Sequence, residues 1–249
     1  MTRKLWISML AAAAVGTAGA AWAALPGNIA AALADKGRAD DVKRDAARKP
    51  GELLAWAGLK SGDKVADLIM GGGYFTRILS LAVGPAGVVY AYQPDEFVRF
   101  QASYGEDQKK VAAAYPNVKA VTGSLGTLDL PDGLDMVLTV QNYHDLHLTP
   151  FPKDTAAKVN AEVFKSLKPG GVYLIVDHVA APGSGLEAAM KVHRIEPSIV
   201  KQEVEAAGFR LEAESPLLKD AADPHTAGVF DASIRGKTDQ FVMKFRKPK

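Results

Sequence analysis

The chain has 249 residues, 48% hydrophobic and 23% charged, enough for one full domain core and too mixed for a solenoid or a disordered tail. It has no cysteine, which excludes disulfides, thiolate metal sites and a cysteine nucleophile. Its 30 basic and 28 acidic residues differ by two, and Arg3 and Lys4 supply that excess, so the rest of the chain is neutral and shows no nucleic-acid-binding face.

Those first residues read as an export leader. Arg3 and Lys4 precede an Ala-rich apolar stretch, and Ala21-Trp22-Ala23 fits a signal-peptidase site. The expected product starts after Ala23, keeps no stable membrane span and is periplasmic or secreted. Residues 24–49, polar and Ala-rich, are expected to form an N-terminal helical extension, and residues 50–249 the main domain.

Pro50 opens a short helix that Gly58 ends. Residues 64–69 read as a first strand. Residues 74–83 read as a helix, with Phe75, Ile78, Leu79 and Ala82 at helical spacing. A turn at 84–87 leads to a second strand at 88–92 and a second helix from Pro94. Strands follow at 118–121 and 134–140, then a helix at 156–167, a turn at 168–171 and a strand at 172–176. A helix at 197–207 precedes two last strands, 209–214 and 240–245, with a long connection between them.

Apolar strands alternating with amphipathic helices predict a doubly wound, mostly parallel α/β sheet with helices on both faces. The last two strands have no helix between them, so the last is expected to run antiparallel. Ligands then belong beyond the carboxyl ends of the strands. The connection at 215–239 exceeds the usual length of an unstructured loop and is expected to be an ordered flap.

The loop after the first strand reads VADLIMGGGYFT. Gly71, Gly72 and Gly73 allow unusual backbone angles and close approach of a ligand at the start of a helix. A dinucleotide fingerprint is excluded: Thr76 stands where its last glycine belongs, and the second strand ends on Gln93 rather than an acid. No Gly-Lys-Ser/Thr phosphate loop is present. The acid, Asp67, lies instead inside the first strand.

An acid in the first strand followed by glycines resembles motif I of the class I S-adenosylmethionine-dependent methyltransferases. Ile69 and Met70 replace the first glycine of that motif and its neighbour. Three blocks, RKPGELLAWAGLKSGDKVADLIMGGGYFTRIL, HRIEPSIVKQEVEAAGF and DPHTAGVFDASIRGKTDQFVMKFRKP, resemble a subgroup of bacterial methyltransferases with export leaders. The resemblance implies a Rossmann-like methyltransferase sheet with S-adenosyl-L-methionine as cofactor. By position it implies contacts from Asp67, Gly71, Gly72, Gly73, Gln93, Ser124 and Asn142.

Polar clusters follow the fourth and fifth strands: Gln141-Asn142-Tyr143-His144-Asp145-Leu146-His147 and Asp177-His178. A methyl acceptor with a hydroxyl or amine nucleophile must lose a proton, and histidine suits that task. His144 or His178 is the expected base, with Asp145 or Asp177 as orienting partner. Tyr143, His147, His193 and Arg194 are assigned to the acceptor, a small molecule. His144 and His147, three apart, could share a metal on a helix, but no metal site is assigned. The alternative is a non-catalytic exported protein that binds a small ligand or metal on the same fold.

Overall fold

A computed structural model describes residues 24–249, so the leader lies outside the described residues. The elements in chain order are α1 (Gly27–Leu33), α2 (Asp45–Arg48), α3 (Pro50–Ala57), β1 (Lys64–Leu68), α4 (Tyr74–Val83), β2 (Val88–Pro94), α5 (Asp95–Phe100) and α6 (Ser103–Ala114). Then come β3 (Val118–Gly123), β4 (Leu134–Val140), α7 (Thr155–Ser166), β5 (Leu167–His178), α8 (Glu187–Val192), α9 (Pro197–Ala206), β6 (Arg210–Ser215) and β7 (Gln240–Arg246).

The strands form one sheet in the order β3-β2-β1-β4-β5-β7-β6. The first five are parallel. β7 lies between β5 and β6 and is antiparallel to both, as expected of a last strand reached without a crossover helix. Successive side chains of the apolar strands enter two cores. Met136, Leu138, Leu174 and Val176 face α1, α3 and α4. Val137, Tyr173 and Ile175 face α7 and α9. A strand buried on both faces reads as an unbroken apolar run, and such runs bounded by turn residues located these strands.

Two expectations are corrected. Residues 24–49 are not one helix but α1, two 3-10 turns and α2, a broken path held to the domain by polar contacts. Tyr74 Oη donates to Asp45 Oδ1 at 2.6 Å, and Arg77 Nε pairs with Asp41 Oδ2 at 2.6 Å. These contacts bring α2 over the start of α4. The turn expected at 168–171 is absorbed into β5, because Gly170 at φ 81° lets the strand bend while Gly170 and Gly171 pair with Lys247, just beyond β7.

Candidate functional site

Chain order reverses between β1 and β4, and the crevice there opens beyond their carboxyl ends. A cavity of about 1010 Å³ fills it, at the upper end of the range for small-molecule sites. Its walls include Asp67, Gly71, Gly72, Glu96, Asn142, His144, Asp145, His178 and His193. The loops after β1, β2, β4 and β5 therefore meet at one place.

The glycine loop divides its labour. Gly73, at φ 79°, caps α4, and an added Cβ would lie 2.8 Å from Val111 Cγ2. Gly71, at φ 54°, has open space where a side chain would start. Gly72 has an ordinary backbone, and its nearest neighbour in that direction is Asp107 Oδ2 at 3.8 Å. Packing demands Gly73 alone; Gly71 and Gly72 leave main chain bare toward the cavity. Ile69 and Met70 are buried, Ile69 in the core under α7 and Met70 in the core under α4, and both line the cavity without filling it. Ile69 takes φ 62°, a left-handed angle rare for a β-branched residue, at the position where the resemblance expects glycine.

Asp67 is buried and accepts a hydrogen bond from Thr76 Oγ1 at 2.6 Å. Burial pushes its carboxyl up to about 6, against the opposing pull of Thr76 and Arg48. Arg48 reaches the cavity from α2 and donates to Gln141 Oε1 at 2.6 Å. Arg44 and Arg48 stack on the Tyr74 ring at 4.5 and 4.9 Å. Two guanidiniums and the bare amides of the loop suit a carboxylate-bearing ligand.

Gln93 does not face the cavity. It is fully buried, and neither polar atom of its amide has a partner among the described residues. The strand runs on to Pro94, and Glu96, in the first turn of α5, is the acid on the cavity wall. Ser124 supports it by donating to Glu96 Oε1 rather than lining the cavity itself. The sequence signal was available: an acid three residues after Gln93, at a helix start.

The opposite wall is polar. Asp177 binds His144 twice, at its backbone nitrogen (2.8 Å) and at ring Nδ1 (2.9 Å). That leaves Nε2 of His144 3.3 Å from Asp145 Oδ1. Burial pushes His144 down, but Asp177 and Asp145 overcome it and lift the imidazole to about 9. The same contact holds Asp177 below the ordinary carboxyl value despite its burial. Burial raises Asp145, against His144 and a hydrogen bond from Asn142. His178 is pushed down to about 4 by burial, with its Nδ1 2.8 Å from Thr238 Oγ1. His193, in a left-handed backbone at φ 54°, sets its ring against His144 with centroids 5.5 Å apart.

Three residues assigned to the acceptor lie behind this wall. Tyr143 is fully buried between Asn160 and Glu203. His147 bonds Glu203 at 3.2 Å, so it diverges from His144 and the two cannot share a ligand. Arg194 is fully buried and grips both carboxylate oxygens of Asp223 at 2.8 and 3.0 Å. It thereby anchors the connection at 216–239, which contributes Val229 and Phe230 to the cavity. Sequence reading did not anticipate the aromatic lining: Phe97, Phe100, Tyr104, Phe151 and Phe230.

Solved structures share this architecture. An S-adenosylmethionine-dependent methyltransferase from Aquifex aeolicus is 23% identical, with a TM-score of 0.59, over 84% of this chain and 95% of that one. A chain of the complex containing the Haloferax volcanii Trm112 methyltransferase activator is 18% identical, with a TM-score of 0.59, over 88% and 95%. The cyclase SpnF is 16% identical, with a TM-score of 0.56, over 82% and 81%. No protein-family model and no curated protein matches the chain. The likeness is one of fold, a Rossmann-like methyltransferase fold, and a cyclase among its neighbours means the reaction has to be argued from the site.

Proposed function

We propose that the protein transfers a methyl group from S-adenosylmethionine to a small-molecule acceptor. One observation carries the reading: the bare 71–72 main chain, Asp67 and Glu96 share a single cavity with the histidine wall. When bound, the cofactor would supply a methyl group on a sulfonium, whose C–S bond breaks, releasing a neutral thioether, as the acceptor–carbon bond forms. Gly71 and Gly72 give it room and amide donors. Glu96 accepts from ribose hydroxyls, and Arg44 and Arg48 face the carboxylate of its amino-acid end. Asn142 closes the floor between the two halves.

The acceptor lies against His144, Asp145 and His178, covered by Phe100, Phe151 and Phe230, which favour an apolar or aromatic body. Burial keeps His178 neutral, and with Nδ1–H donating to Thr238 Oγ1 its Nε2 carries the free lone pair for the acceptor's proton. Asp177 is a positioning residue that holds His144.

Calorimetric titration with S-adenosylmethionine and S-adenosylhomocysteine tests the reading. Binding of either is expected, and Gly72→Asp should abolish it while still folding, because Gly72 has an ordinary backbone and space around it. No heat with either ligand, or an unaffected Gly72→Asp variant, overturns it. We also propose that the protein works outside the cytoplasm. Mass measurement of the exported form should show a chain beginning at Ala24; an intact Met1 would refute export by this leader.

A further inference from the structure

We propose that Nε2 of His144, the carboxylate of Asp145 and the imidazole of His193 form a divalent-cation site on the cavity wall. One ligand atom from each lies within 4.8 Å of the others, and all three residues line the same cavity. Metal–ligand bonds of about 2.1 Å place neighbouring ligand atoms roughly 3 Å apart. His144 Nε2 and Asp145 Oδ1 already stand at 3.3 Å. His193 is only half-buried, and one of its ring nitrogens lies within 4.8 Å of the other two ligand atoms.

The surroundings are those of a ligand set rather than a chance cluster. Asp177 takes Nδ1 of His144, which aims Nε2 at the site, as carboxylates commonly do behind metal-bound histidines. Asn142 donates to Oδ2 of Asp145 at 3.0 Å, so Oδ1 is the oxygen turned toward His144 Nε2. His193 is held in a strained left-handed backbone immediately before the buried anchor Arg194, with Phe230 packed against its ring at 5.0 Å. Asp145 and Asp177 flank His144, so a cation that displaces the proton of its Nε2 meets two carboxylates. Two imidazoles and one carboxylate suit a first-row transition ion better than magnesium or calcium, and leave positions open toward the cavity.

What the cation does rests on the methyl-transfer reading; whether it binds does not. In that reading it holds the acceptor's oxygen and increases its acidity, and the O–H proton passes to Nε2 of His178.

The test is titration of the purified protein with cobalt(II) chloride, followed by calorimetry and visible absorption. One cobalt per chain is expected, with absorption bands of the bound ion. His193→Asn, which keeps a residue tolerant of left-handed backbone, and Asp145→Asn should each weaken binding at least tenfold. Asp177→Asn should weaken it roughly 10–100-fold. His147→Gln should leave it unchanged, and thermal melts establish that each variant folds. No cobalt binding by the parent protein overturns the proposal, as does binding that survives in both His193→Asn and Asp145→Asn. The titration needs no adenosyl ligand, so its failure is separable from failure of the methyl-transfer reading.

Discussion

Asp67 holds a charge where the fold alone would not want one. With its pKa raised to about 6 from 3.8, the folded state keeps a proton that the unfolded chain releases. Stability from this residue is therefore present at low pH and lost as pH rises from 3.8 through about 6, by about 3 kcal/mol in all. Asp67→Asn keeps an acceptor for Thr76 and should be more stable than the parent protein above pH 6. That advantage should shrink toward zero near pH 4, as read from urea denaturation at several pH values. The same variant should bind S-adenosylmethionine more weakly; equal affinity would make Asp67 purely structural. The glycines separate in the same way. Gly73→Ala should cost about 2 kcal/mol or more, from positive φ and a clash with Val111, whereas Gly72→Ala should be close to neutral for folding. Asp67 and the glycines were legible in the sequence because motif I is contiguous. Glu96 carried a sequence signal, an acid at a helix start, but strand length decides which side chain at the end of β2 reaches the crevice, and only the structure gave that length.

Among elements, the connection at 216–239 is anchored by a buried ion pair. Arg194 and Asp223 are both inaccessible, and Asp223 also accepts from the backbone of His225 and Asp239. Arg194→Met leaves that carboxylate buried without its charge partner, at a cost of about 3–5 kcal/mol. Amide exchange in 216–239 should accelerate more than in β1 or β4; uniform acceleration would mean the pair supports the whole fold instead. Sequence reading marked Arg194 as a group for the acceptor because it adjoins His193. The two alternate sides of the chain, so one enters the cavity and the other the interior.

At the scale of the molecule, both halves of the proposed reaction meet at one crevice, so ligand binding should stabilise the whole domain. At a concentration 100 times its Kd, S-adenosylhomocysteine adds about 2.7 kcal/mol. For a domain of this size that corresponds to a Tm rise of roughly 5–10 °C. Differential scanning fluorimetry reads it directly, and Gly72→Asp should show no rise.

Most elements and the antiparallel end of the sheet followed from apolar runs, periodicity and turn residues, because these patterns are local and the chain carries them wherever it folds; α6 and α8 did not. The loop with its upstream acid was local too. The left-handed Ile69, the insertion of β7 between β5 and β6, and the grip of Asp177 on a histidine 33 residues away were decided only in three dimensions. The reason is physical: a strand's spacing states which face it buries, while its neighbours in the sheet are chosen by packing over long separations. The cavity exists only where those choices bring four loops to one edge.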